Sequence, residues 1–109
     1  NVQEARRRGV RLIGYEGGQH LVGWGGTQDN TTITNLFVAA NRRPEMAWLY
    51  LWYMEGWRAV GGEELVAYAS STKPGKFGSW GALEFGDQDP FTAPKYVALR
   101  AALLGYRLF

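Results

Sequence analysis

The sequence predicts an α/β fold built from two consecutive βα units. Three observations carry that expectation. Two short runs of strand character, Val10–Tyr15 and Glu64–Ser71, are separated by a long region with helical spacing. Each run leaves through a glycine-rich loop and then enters a helical segment. The helical segments carry their own start and stop residues, so the order helix tail, strand, loop, helices, strand, loop, helix is punctuated throughout.

The opening "NVQEARRRG" has neither an initiator Met nor the apolar centre of a signal peptide. It reads as the tail of a helix, with Arg6, Arg7 and Arg8 at its negative end and Gly9 just past it. A chain that begins so is expected to be a fragment of something longer. Val10 to Tyr15 is apolar without strict alternation, which suits a parallel strand buried on both faces. After the loop "EGGQHLVGWGGTQDN", Asp29 or Thr31 can cap a helix over Thr32–Arg42, where Leu36, Phe37 and Ala40 fall at helical spacing.

Pro44 divides that region, because proline is tolerated in the first turn of a helix and not inside one. A second helix therefore runs from Pro44 to about Val60, with Met46, Leu49, Tyr50, Tyr53, Met54 and Trp57 as its apolar face. Gly61 and Gly62 end it. The strand Glu64–Ser71 follows, then the loop "TKPGKFGSWGALEFGDQDPF". Thr92 is placed to cap a last helix with Pro94 in its first turn, running from Lys95 to Leu104 and stopping at Gly105. Residues 1–109 read as one domain without a linker, repeat or low-complexity tract.

Two parallel strands need a crossover, which the helices supply. Two strands also make a poor sheet, with both edges free to pair. Either copies associate through those open edges, or the chain is a slice of a larger α/β sheet or barrel; the slice is the preferred expectation.

Composition removes several classes of function. At 46% apolar residues the chain is not of disordered type. A net charge of +2, with basic clusters only at Arg6–Arg8 and Arg42–Arg43, lacks the basic and aromatic stripe of a nucleic-acid surface. No apolar run is long enough to span a bilayer. With no cysteine and a single histidine, neither a disulfide scaffold nor a metal centre is expected. Dinucleotide binding is not supported either: "GWGGTQ" has Gln28 where the third glycine of the fingerprint belongs, and no phosphate-loop lysine follows these glycines. Ser79, in "FGSWG", has Phe77 at the first glycine position of a nucleophile elbow. No cofactor is expected.

What remains is concentrated at the strand exits. Glu16 follows the apolar run of the first strand directly, and the carboxyl ends of parallel strands are where α/β folds place their chemistry. Against this stands a plain surface acid at a strand end, or a Glu salt-bridged to a neighbouring arginine. Gly17 and Gly18 leave space beside the acid, and Gln19 and His20 can hydrogen-bond a polar ligand. The chain also holds five Trp, six Tyr and five Phe, several in glycine-rich loops. Trp24 and Trp80 could each fold back on the core, or offer a flat apolar face to the C–H face of a sugar. Trp80 is the stronger candidate, since its loop leaves the same end of the sheet as Glu16. Trp48, Trp52 and Trp57 lie within a helix and are assigned to packing. Glu63 and Glu64 stand at a strand entry, the wrong end, while the sequence leaves the place of Glu84 open.

With these residues laid out, nearly the whole chain resembles the C-terminal part of a retaining glycoside hydrolase with a (β/α)8, or TIM, barrel, of the superfamily called clan A. "LIGYEGGQH" resembles the seventh-strand motif, which implies Glu16 as the catalytic nucleophile; Tyr15, Gln19 and His20 around it are expected to bind the substrate. "ELVAYASSTKPGKFGSWGALE" resembles the eighth strand and its loop, implying Trp80 as the sugar-facing aromatic, and "PKYVALRAALLG" resembles the closing helix. The resemblance implies a fragment that cleaves glycosidic bonds of a polysaccharide or oligosaccharide only with the remainder of the barrel, which supplies the acid/base carboxyl on the fourth strand. A secreted or periplasmic location follows by analogy alone. The competing expectation is a non-catalytic carbohydrate-binding or self-associating α/β module that uses Trp24 and Trp80 without chemistry.

Overall fold

A computed structural model describes residues 1–109. It is a small α/β protein with four helices and a two-stranded parallel sheet, open and not closed into a barrel. Helix α1 (Val2–Arg7) carries Glu4 within reach of both Arg7 and Arg8, and Gly9 follows in the left-handed conformation a helix stop requires.

Strand β1 (Ile13–Gly17) starts three residues later than Val10 and runs through Glu16. Its partner sets those limits. Strand β2 (Glu64–Ala67) begins opposite Ile13, so the ladder reaches back only to the Leu12 carbonyl, which accepts from Glu63 N at 3.0 Å. The Arg11 guanidinium holds Glu63 and Glu64 at the entry of β2. At the other end β2 stops at Ala67, short of the predicted Ser71, because β1 has run out. The chain from Ala69 to Thr72 then pairs with its own loop: Ala69 N donates to the Trp80 carbonyl at 2.9 Å, Ala82 N to the Ala69 carbonyl at 2.8 Å, and Ser71 bridges Leu83. That fold-back returns Trp80 to the strand exit.

Helix α2 (Thr31–Arg42) is capped by Asn30, whose side chain accepts from Ile33 N at 3.2 Å, and by neither Asp29 nor Thr31. Asp29 closes a short 3₁₀ turn and pairs with Lys76. Helix α3 (Glu45–Ala59) follows Pro44, and helix α4 (Pro94–Leu103) starts after Ala93. Thr92 belongs to a separate 3₁₀ turn that Asp89 caps. The core lies between α3 and α4: Met46, Tyr50, Leu51 and Met54 pack with Ala98. Leu49 and Tyr53, expected on that face, are exposed, and Leu51 takes the buried position.

The helices cover one face of the sheet. Ile13, Tyr15, Val66 and Tyr68 stand exposed, contrary to a strand buried on both sides. The consequence is measurable. A compact protein of this mass exposes about 6,100 Å², whereas this chain exposes 7569 Å². Its radius of gyration is 15.4 Å, against about 13 Å for a compact chain of this length.

Candidate functional site

The pairing between the strands is irregular at the point that matters. Gly14 pairs with Leu65 and Gly17 with Ala67, so Tyr15 and Glu16 together oppose Val66 alone. This is a β-bulge, one extra residue in β1. Without it, alternation would put Glu16 on the face of Gly14, which packs toward Trp57 of α3 and Leu65. With it, both Tyr15 and Glu16 turn away from the helices and Gly17 takes the inward position. A side chain on Gly17 would meet Leu65 at 2.7 Å and the Tyr53 hydroxyl at 3.0 Å. The first glycine after the acid therefore serves packing.

Glu16 opens onto a cleft of about 500 Å³ at the carboxyl end of the two strands, lined also by Gly18, His20, Tyr68 and Trp80. That volume is in the range of small-ligand sites. Among the glutamates of the chain, Glu16 alone has no arginine partner. Glu4, Glu45, Glu55, Glu63, Glu64 and Glu84 are each held by a nearby guanidinium. A carboxylate so placed keeps its lone pairs for something outside the chain.

The opposite wall is aromatic. His20 lies against Trp80 with ring centroids 4.9 Å apart, and Tyr68 meets the same indole edge-on at 6.2 Å. The indole N–H is already satisfied, donating to the Phe77 carbonyl at 2.8 Å, so Trp80 has only ring surface to offer a ligand. Gly78 makes that orientation possible: its φ is +117°, and a Cβ there would lie 2.5 Å from the indole ring.

Gln19 lines the cleft and is also tied to the loops around it. Its Nε2 donates to the Ser79 carbonyl at 2.8 Å, its Oε1 accepts from Leu21 N at 2.7 Å, and its backbone N–H donates to the Tyr50 hydroxyl at 3.2 Å. It lines the cleft as a brace between two loops, with its amide largely committed. Burial raises the pKa of that Tyr50 hydroxyl above its ordinary value.

Tyr15 is highly exposed and lines a neighbouring groove beside α1, where Glu16 forms the shared boundary. Trp24 is 87% exposed and lies outside the cleft lining. Glu84 is also elsewhere, gripped by Arg42 at 2.7 and 2.9 Å, which lowers its pKa. The cleft therefore contains one carboxylate. No three His, Asp or Glu side chains converge to hold a metal.

Tyr68 is the cleft residue that sequence reasoning missed. The signal was the period of two through Glu64, Val66 and Tyr68, which assigns all three to one face. The chain matches no protein-family model, and neither a curated protein nor a solved structure matches it, so the cleft is interpreted from its own geometry.

Proposed function

We propose that this cleft is part of the sugar site of a retaining glycoside hydrolase, the chain contributing the last two βα units of its barrel. The observation that carries the reading is the uncommitted Glu16 carboxylate facing an aromatic wall at the carboxyl ends of parallel strands. Glu16 attacks the anomeric carbon as nucleophile, the leaving oxygen departs with a proton from a second carboxyl, and water later releases the glycosyl group. Trp80 and Tyr68 present flat apolar surface to the sugar ring, and His20 offers a ring nitrogen to a hydroxyl.

Retaining hydrolysis needs its two carboxyls about 5–5.5 Å apart, and this chain brings only Glu16 to the cleft. The acid/base group then comes from the remainder of the barrel. The uncovered sheet face supports that arrangement. The chain exposes about 1,500 Å² beyond a compact protein of its mass, roughly twice what one partner buries in a standard interface.

The test is the protein that carries this chain within its full barrel, assayed on a panel of 4-nitrophenyl glycosides and soluble polysaccharides. Glu16→Gln is expected to abolish turnover while leaving sugar binding intact. Unchanged turnover would remove Glu16 from the mechanism.

One observation favours a second reading, a non-catalytic carbohydrate-binding module: a single carboxylate in a cleft that also holds three aromatic rings. That reading predicts saturable sugar binding by the 109-residue chain alone, lost in Trp80→Ala and indifferent to Glu16→Gln.

A further inference from the structure

Lys95 is a buried cation with no part in the chemistry above. It projects from the first turn of α4, is only 5% exposed, and its ammonium donates to the Ser79 carbonyl. A buried ammonium is tolerated only where hydrogen bonds replace its water. Burial lowers its pKa to about 8, with Glu84 acting in the opposite direction.

The Ser79 carbonyl also accepts from Gln19 Nε2 at 2.8 Å. One oxygen thus joins three segments: the loop after β1, the loop after β2, and the start of α4. Its two donors fill both of its lone pairs. The residues next in sequence are the ones that form the aromatic wall. Gln19 precedes His20, Ser79 precedes Trp80, and those two rings meet at a tilt with centroids 4.9 Å apart.

We propose that Lys95 is a positioning residue which, through the Ser79 carbonyl, holds Trp80 against His20 and so sets the aromatic wall of the cleft. It touches no ligand itself. The inference rests on the sugar-site reading for its purpose, since that wall is the proposed platform, but its test needs no sugar.

The surroundings of both ends define the experiment. Lys95 faces Glu84 from the loop after β2 and Arg42 from α2, and these two neutralise each other. Asn41 and the Ser79 hydroxyl, both buried and neutral, line the same cavity of about 30 Å³. On the other side, His20 shares its cleft with Glu16 and Tyr68.

His20 is the only histidine, so its imidazole C–H signals are identifiable in the proton NMR spectrum of the full chain without labelling. Packed against Trp80, they are expected to be displaced by the indole ring current, and Trp80→Leu identifies that displacement by removing it. Lys95→Met is expected to lose most of the displacement while the far-ultraviolet circular dichroism is retained, and Lys95→Arg to keep most of it. An unmoved displacement in folded Lys95→Met overturns the proposal.

Should Lys95→Met fail to fold, Lys95→Gln is read in its place, since its shorter side chain falls short of the Ser79 carbonyl. An unmoved displacement in that folded variant overturns the proposal. If the His20 signals behave as described while the full barrel acts on no sugar, the sugar reading falls and the positioning role stands.

Discussion

Stability should rise with pH across a window set by Lys95. Its pKa is near 8 in the folded chain against an ordinary 10.5. Between those values the unfolded chain binds the proton and the folded chain does not, so alkalinity favours folding. Below the folded value both states are charged, and the native state carries the whole cost of burying that charge, about 3 kcal/mol. Between pH 7 and pH 9.5 linkage predicts a gain of about 2 kcal/mol, which moves a urea midpoint by about 1 M for a chain of this size. Above pH 10 the trend should turn over. The buried Tyr50 hydroxyl has a raised pKa, so there the folded state holds the proton that the unfolded state has lost. The assay is urea unfolding followed by tryptophan fluorescence, repeated in Lys95→Met, where the rise should vanish. A wild-type midpoint that stays flat or falls between pH 7 and 9.5, or an equal rise in Lys95→Met, would refute the reasoning.

Two further substitutions test how the site is held in place. Asn30→Ala removes the acceptor for Ile33 N and should cost about 1 kcal/mol in urea unfolding. Asp29→Ala, which breaks only an exposed pair with Lys76, should cost well under that. Gly78→Ala forces a side chain into left-handed backbone and against the Trp80 ring. It should destabilise by about 1–3 kcal/mol and alter the near-ultraviolet circular dichroism that the packed indole produces.

The helices were legible because their signals are local. Pro44, Pro94, Gly61 and Gly105 are punctuation that acts within a turn, and the structure uses each where the sequence places it. Caps were less so. Asn30 stands between two residues that could do the same work, and only the geometry chooses it. Strand limits were not legible, since β1 and β2 last only while they face each other, and the partner lies some fifty residues away. The position of Glu16 at a strand exit was readable, as was the approach of Trp80 and His20 to the same end. The bulge that turns Glu16 outward leaves no local mark, because a strand of five residues looks the same with or without an unpaired one. The bracing contacts of Gln19 were not legible for a related reason: a free amide and a bracing amide have the same letter. The difference lies in the Ser79 carbonyl, sixty positions on.

The unpaired residue in β1 has a consequence for how this protein can change. Side-chain identity does not aim Glu16; the count of residues between two pairing points does. Point substitutions at the exposed Ile13 and Tyr15 can alter size or polarity and still leave the carboxylate pointing the same way. Dropping or adding one position there would reverse its direction, however conservative the letters on either side. Drift in composition and rigidity in length are thus to be expected together in this short stretch, and an engineer grafting the site elsewhere would have to transplant the spacing before the chemistry.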